Sequence, residues 1–261
     1  MSLKDHILNI SNLSKNFGGL TAVNNCSLKI KRGTITGIIG PNGSGKSTLF
    51  NLIAGSLKPN SGKVLFNNED ITNVPSHDLF SKGILRTFQI AHEFTNLTVL
   101  ENLMMVPSNQ LGENLISALF TRKKFKSQED KIRDKAYSVT EFLNLKHLAN
   151  ELAGNLSGGQ KKLLELGRTM MVDSKLVLLD EVGAGVNRTL LKDLGSAILK
   201  LNKEKGYTFC MIEHDMDFIS RMCDPVIVLS EGSVLFEGTS EEVKSNELVI
   251  ESYLGRSNKQ N

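Results

Sequence analysis

Residues 37–49 of the chain read Gly37-Ile38-Ile39-Gly40-Pro41-Asn42-Gly43-Ser44-Gly45-Lys46-Ser47-Thr48-Leu49. An apolar run, residues 35–39, leads into a glycine-rich turn, and a leucine-containing helical pattern begins at Ser47. The stretch therefore predicts a strand, a loop and a helix in succession. Two of its glycines, the lysine and the serine have the spacing G-x-x-x-x-G-K-[ST] of a loop that binds nucleotide phosphates.

The chemistry of phosphate binding explains why these residue types occur at this spacing. Glycines let successive backbone N–H groups turn inward around phosphate oxygens, and the N-terminus of the following helix adds partial positive charge. Lys46 is predicted to reach the β- and γ-phosphates, and the Ser47 hydroxyl to bind Mg²⁺. The loop residues predicted to bind nucleotide are Gly40, Asn42, Gly43, Ser44, Gly45, Lys46, Ser47 and Thr48. A glycine-rich turn before a core helix is the alternative.

Two acids follow a second apolar run, at residues 176–179. Such a run is typical of a parallel strand buried on both faces, and open α/β sheets bind ligands at the carboxyl ends of their strands. Asp180 is therefore predicted to hold Mg²⁺ through water, and Glu181 to polarise the water that attacks the γ-phosphate. The alternative is that both acids only cap the following helix.

Two further polar segments complete the predicted chemistry. His214 follows an apolar strand at 208–212, where its ring is placed to hydrogen-bond a γ-phosphate or the attacking water. The run Ser157-Gly158-Gly159-Gln160 opens a helical pattern, and a serine with two glycines at a helix start forms a second anion-binding turn. One nucleotide already has its turn at 40–48, so the second turn predicts ATP bound between two protomers.

Composition limits the class of protein. The 261 residues are enough for one large α/β domain, or one domain with an inserted subdomain. The formal net charge of +3 is too small to indicate nucleic-acid binding. Cys26, Cys210 and Cys223 lack metal-ligand spacing, which predicts a reduced, cytosolic setting. We expect no signal peptide and no membrane span, which needs roughly 18 apolar residues, so any membrane role requires another polypeptide.

The hydrophobic pattern changes twice along the chain. Residues 7–36 read as short strands of an antiparallel sheet, whereas residues 90–155 show helical periodicity, with Ser127 predicted to cap one helix. The α/β pattern then resumes. We therefore predict an α/β catalytic core with an antiparallel β subdomain from 1–89 and 156–261, and an inserted helical subdomain at 90–155.

Together these residues resemble the ATPase subunit of ABC transporters, over essentially the whole chain. The motifs occur in the family's order and spacing: Walker A at 40–48, a Q-loop at Gln89, the LSGGQ signature at 156–160, Walker B at 176–181 and the switch histidine His214. The resemblance implies a P-loop NTPase fold of the ABC ATPase type, with a RecA-like core, an antiparallel β subdomain and an inserted α-helical subdomain.

The resemblance also implies roles for individual residues. Phe17 would stack on adenine, and Gln89 would contact Mg²⁺ and link the site to a membrane subunit. Ser157 and Gly159, with their neighbours Gly158 and Gln160, would bind ATP held by the opposite protomer. The implied catalytic residues are Lys46, Gln89, Glu181 and His214, and the implied metal ligands are Ser47, Gln89 and Asp180.

Further stretches look like the importer branch that serves branched-chain amino acids: Arg86-Thr87-Phe88-Gln89, 97–103, 153–157, 212–216 and 252–255. The ATPases of urea and lipopolysaccharide transport are similar. The resemblance implies an ATP-hydrolysing importer subunit, peripheral at the cytoplasmic face of the inner membrane, which closes as an ATP-bound dimer. A non-transport ABC protein is a less favoured reading, because such proteins usually carry two cassettes or long coiled-coil insertions. The complete catalytic set argues against a subunit that only binds nucleotide.

Partners follow from the same resemblance. Transmembrane permease subunits would dock on the helical subdomain, where Phe94 and Leu97 are expected to be exposed apolar anchors. The second ATPase protomer is a copy of this chain or a related ATPase, a solute-binding protein acts indirectly, and no nucleic acid is expected.

Two positions depart from the family pattern. Most members carry proline after the second acid, whereas Val182 stands here, which would loosen the placement of Glu181. Many carry aspartate where this chain has Asn187. The branched-chain branch resembles this sequence there, so we take Asn187 as a lineage trait.

Overall fold

The computed structural model describes residues 5–86, 94–107 and 122–254, with the backbone alone for 122–125. The chain forms two compact units: Met1–Gln89 with Lys175–Ala184 and Ile198–Asn261, and Ile90–Ser174 with Gly185–Ala197. The predicted helical insert at 90–155 lies within the second unit, which extends beyond it on the carboxyl side. The predicted subdomain boundaries stay a prediction.

The strands of the first unit form two sheets. They are β1 (His6–Phe17), β2 (Leu20–Lys31), β3 (Ile35–Ile39), β4 (Ser61–Phe66), β5 (Glu69–Asp70), β6 (Ile84–Arg86), β7 (Leu176–Asp180), β8 (Thr208–Ile212), β9 (Val226–Ser230) and β10 (Ser233–Gly238). The six-stranded sheet has the order β10-β9-β3-β8-β7-β6, and its strands are parallel except β10. Every residue of β3, β7 and β8 is buried, which explains their continuous apolar runs.

The second sheet is antiparallel and has the order β2-β1-β4-β5. In β2 the side chains of Cys26, Leu28 and Ile30 are buried while the residues between them are exposed, as the alternating pattern predicts. These side chains join one core cluster with Phe66 of β4 and Ile38 of β3. The phosphate-loop strand is thus anchored in the main core of this unit.

The helices are α1 (Lys46–Ile53), α2 (Ser76–Lys82), α3 (Val99–Met104), α4 (Arg122–Phe142), α5 (Gly158–Met170), α6 (Arg188–Lys205), α7 (Met216–Met222), α8 (Ser240–Ser245) and α9 (Glu247–Leu254). Within the described ranges, no helix has the length and apolar character to cross a membrane. The prediction that Ser127 caps a helix is wrong, because α4 begins at Arg122 and Ser127 lies inside it. Lysine and arginine are good helix formers, so the basic residues before Ser127 extend the helix.

In the second unit a buried amide fixes the segment that leads into α3, and a close packing contact joins α5 to α3 and α4. The Asn102 side chain of α3 donates to the carbonyl oxygens of Phe94, Leu97 and Thr98, and accepts from the Phe94 N–H. It fixes the segment before α3. In α5, a Cβ added to Gly167 would press on three apolar side chains, from Leu143, Val139 and Leu103.

Candidate functional site

The glycine-rich loop has the structure that its sequence predicts. It follows β3, and α1 begins at Lys46. Gly43 (φ 75°) and Gly45 (φ 98°) have left-handed backbone conformations that favour glycine. A Cβ on Gly40 would overlap the carbonyl oxygen of Leu229, and one on Gly45 that of Ala22. The loop therefore needs glycine for its conformation and for its close approach to neighbouring strands.

Lys46 is buried, and its ammonium group lies inside the loop. Its Nζ donates to the carbonyl oxygens of Gly40 at 2.8 Å and Pro41 at 3.0 Å. Ser44 Oγ is also within reach, at 3.5 Å. The next residue, Ser47, is exposed. A positive charge surrounded by inward-turned backbone, with an exposed hydroxyl beside it, is an arrangement that attracts phosphate.

The carboxylate expected to serve the metal is paired with an arginine that the sequence reading did not assign a role. Asp180 ends β7, and its Oδ2 accepts from Arg86 Nη2 at 2.7 Å. The Arg86 side chain is 15% exposed and that of Asp180 8%. Arg86 Nη1 also donates to Asn51 of α1 at 2.5 Å. A charged residue in the short apolar strand β6 is the signal that marks Arg86 in the sequence.

The two residues predicted to act on the attacking water are in contact. His214 Nε2 lies 2.9 Å from Glu181 Oε1, and the side chains are 50% and 22% exposed. The register of β7 and β8 pairs Asp180 with Ile212, so the residues that follow each strand emerge side by side. The Glu181 N–H donates to the Ile212 carbonyl at 2.9 Å.

Glu181 also has an unusual backbone. Its φ of 48° is left-handed, which costs energy for a residue with a side chain. Ala184 closes the turn by donating its N–H to the Glu181 carbonyl at 3.1 Å. Strain of this kind is concentrated at functional positions, where surrounding contacts maintain it.

Glu213, which the sequence reading also left without a role, lies between β8 and His214. It is buried, and its Oε1 accepts from the Gly183 N–H at 2.8 Å. Burial raises the pKa of its carboxyl group, and the backbone N–H groups of Gly183 and His214 oppose that change. An acid directly after an apolar strand is the sequence signal for this residue.

The signature segment lies in the second unit and forms a capped helix start. Ser157 is the N-cap of α5, accepting from the Gln160 N–H, and the Gln160 side chain accepts from the Ser157 N–H at 2.9 Å. A Cβ on Gly159 would overlap the side chain of Leu190. Gly158 is exposed. The capping bonds fix the shape of this first turn, and its exposed Gly158 leaves the N-terminal end of the helix accessible, where the helix dipole favours an anion.

One known protein family matches the part of the sequence that contains most of these site residues. The family "ABC transporter" matches residues 23–184, which include the glycine-rich loop, the signature segment and the two acids at the carboxyl end of β7. The chain belongs to the ABC transporter family. A second family, "Branched-chain amino acid ATP-binding cassette transporter", matches residues 233–257. Members of the ABC family bind and hydrolyse ATP, so this chain is an ATPase.

Curated and solved relatives of this ABC ATPase agree with the family assignment. It is 43% identical over 249 residues to the "Probable branched-chain amino acid transport ATP-binding protein LivG" of Archaeoglobus fulgidus, covering 95% of each chain. A solved ATP-binding cassette in its ADP conformation is 40% identical, with a TM-score of 0.81 over 96% of this chain and 99% of the other. A dimeric cassette in a post-hydrolysis state, bound to ADP and phosphate, is 27% identical, with a TM-score of 0.71 over 89% and 98%. The predicted P-loop ABC fold is confirmed.

The predicted aromatic and apolar contact residues differ in their exposure. Phe17 ends β1 with an exposed ring, and Lys15 Nζ lies 5.3 Å from the ring centroid. Phe94 is exposed, with the Arg168 guanidinium 5.7 Å from its ring centroid, and Leu97 is half-buried. Gln89 lies outside the described residues.

The two departures from the family pattern have different structural settings. Asn187 accepts from the Leu190 N–H at 2.9 Å and so caps α6, a task for which asparagine and aspartate are equally suited. Val182 is buried. With valine in place of proline, the backbone of the turn that carries Glu181 is held by hydrogen bonds from Glu181, Gly183 and Ala184.

Proposed function

We propose that this ABC ATPase is the ATP-hydrolysing subunit of an importer for branched-chain amino acids. The contact between Glu181 and His214 at the carboxyl ends of β7 and β8 carries the hydrolytic part of the proposal. The match of residues 233–257 to the branched-chain family supports the transported class.

The chain's own groups account for binding the phosphates. The loop backbone from Gly40 to Thr48 supplies N–H donors, and the buried Lys46 supplies a charge. In the described residues no cluster of three or more His, Cys, Asp or Glu is built to hold a metal. That agrees with Mg²⁺, which usually binds through one or two carboxylates, waters and substrate phosphates. Ser47, Asp180 and Gln89 would hold it, and when bound it neutralises phosphate charge.

Glu181 and His214 divide the work at the attacking water. The Glu181 carboxylate accepts a hydrogen bond from the water and polarises it as a general base. The His214 ring holds the Glu181 carboxylate from the side and reaches toward the γ-phosphate. Phe17 offers an exposed ring on which adenine stacks.

A second protomer completes each site in this proposal. The capped start of α5, with Ser157, Gly158, Gly159 and Gln160, would bind the γ-phosphate of ATP held by the partner. Binding of two ATP molecules closes the interface, and hydrolysis with product release reopens it. The dimeric cassette among the solved relatives supports this arrangement. The partner is a copy of this chain or a related ATPase.

The motor acts on other polypeptides. Permease subunits would dock on the second unit near the exposed Phe94, with the ATPase peripheral at the cytoplasmic face of the membrane. A solute-binding protein supplies substrate to the permease and does not touch this chain. Affinity purification from native membranes should recover apolar permease subunits, whereas recovery of ribosomal RNA instead would contradict the transport role.

The Glu181→Gln variant tests the base assignment. Glutamine keeps the shape of the side chain but is a poor base, so hydrolysis should fall by roughly 100-fold or more while ATP still binds. With ATP and Mg²⁺ the variant should run as a dimer in size-exclusion chromatography with light scattering. A further Ser157→Arg substitution should return it to a monomer. Hydrolysis at the wild-type rate by Glu181→Gln would refute the assignment.

A further inference from the structure

One buried carboxylate touches both segments that carry the proposed water-activating pair. Glu213 Oε1 accepts from the Gly183 N–H, two residues after Glu181. Glu213 directly precedes His214, whose backbone N–H lowers the pKa of the same carboxyl group. Glu213 is buried, so its contacts are with protein atoms and not with solvent.

The turn that Glu213 holds needs an external restraint. Glu181 has a left-handed backbone, and residues 181–184 are Glu, Val, Gly and Ala, with no proline among them. A strained turn of small and apolar residues relaxes toward ordinary backbone angles unless its surroundings hold it. Three hydrogen bonds restrain the backbone of this turn: the Glu181 N–H donates to the Ile212 carbonyl, the Ala184 N–H to the Glu181 carbonyl, and the Gly183 N–H to Glu213. Glu213 makes the last of these bonds through its side chain.

We propose that Glu213 is a positioning residue for ATP hydrolysis. Its carboxylate joins the turn of Glu181 to the start of the His214 segment, and so keeps the two side chains at hydrogen-bonding distance. This inference rests on the proposed roles of Glu181 and His214. It assigns Glu213 no contact with ATP.

Three substitutions of Glu213 separate positioning from general support of the fold. Glu213→Met fills the space but accepts no hydrogen bond. Glu213→Asp keeps the acid but withdraws it by one methylene from the Gly183 N–H. Glu213→Gln keeps an acceptor oxygen at the original reach. If Glu213 acts by positioning, the activity of each variant depends on whether its side chain can accept the hydrogen bond from the Gly183 N–H, and not on its charge.

We expect kcat for ATP hydrolysis to fall about 10- to 100-fold in Glu213→Met and Glu213→Asp, the scale of a misplacement near 1 Å. Glu213→Gln should stay within about fivefold of wild type, because its amide oxygen restores the bond to Gly183. The KM for ATP and the affinity for ADP should change less than twofold in all three, because the phosphate loop is untouched.

Comparing kcat with ADP affinity distinguishes a positioning role from a general loss of structure. Wild-type kcat in Glu213→Met or Glu213→Asp would overturn the proposal, as would a fall in kcat matched by an equal loss of ADP affinity. Should Glu213→Met fail to fold, the ratio of kcat between Glu213→Gln and Glu213→Asp decides. A ratio of kcat below about two overturns positioning, and a ratio of about two or more supports it. Glu181→Gln, measured in parallel, tests the proposed function separately: full activity there defeats the base assignment whatever the Glu213 variants do.

Discussion

Replacing Arg86 with methionine should destabilise the first unit strongly. The guanidinium pairs with Asp180 at 2.7 Å, and the two side chains are only 15% and 8% exposed. Breaking a buried ion pair by removing one partner leaves the other charge without compensation, which costs about 3–5 kcal/mol. The hydrogen bond to Asn51 is lost as well. Among the described residues, the buried Arg86 Nε has no hydrogen-bond partner, so its removal gives back a small part of that cost.

Urea unfolding without nucleotide measures this prediction. Since the sequence contains no tryptophan, far-UV circular dichroism is the suitable signal. Arg86→Met should lower the free energy of unfolding by about 3–5 kcal/mol, and Arg86→Met combined with Asp180→Asn should recover more than half of that loss. Lys82→Met is the matched control, because its ion pair with Glu69 is 31% and 60% exposed. It should cost less than about 1 kcal/mol. An Arg86→Met variant within about 0.5 kcal/mol of wild type would refute the reasoning.

Two more predictions concern packing and pH. Gly159→Ala should lower the free energy of unfolding by about 1–3 kcal/mol, because the added methyl group overlaps Leu190. Gly158→Ala is its control and should be near neutral, since the nearest atom lies 3.7 Å away; equal effects in urea unfolding would contradict the packing argument. Burial raises the pKa of Glu213, so its contribution to stability is full below the ordinary glutamate value of about 4.3 and is lost as pH rises through the raised value. Glu213→Gln removes this titration, so its stability relative to wild type should improve from pH 4.5 to pH 8, and an unchanged difference would contradict the raised pKa.

The sequence predicted best where burial is complete. β3, β7 and β8 match the predicted strands because a parallel strand covered on both faces is a continuous apolar run with polar ends. The position of Ser157 at a helix start was also readable, because serine with glutamine three residues on has a known capping geometry. Local sequence was therefore sufficient to predict the structure of both the glycine-rich loop and the signature segment.

Contacts that depend on strand order were beyond the sequence. Arg86 and Asp180 are 94 residues apart, and they meet because β6 lies beside β7, which no local pattern specifies. Glu213 was overlooked because its partner is a backbone N–H group, and backbone partners leave no trace in residue identity. The cap predicted at Ser127 failed because a run of good helix formers outweighed one capping residue.

The way the loop encloses its own lysine bears on the thermodynamics of nucleotide exchange. The Lys46 ammonium is held by the carbonyl oxygens of Gly40 and Pro41, so the chain itself sets the shape of the loop. The ordering entropy of these residues is therefore lost during folding and not at each encounter with ATP. We expect an incoming phosphate to replace carbonyl oxygens around an ammonium group that is already in place. Such a preorganised loop can cycle through many rounds of capture and release without having to refold.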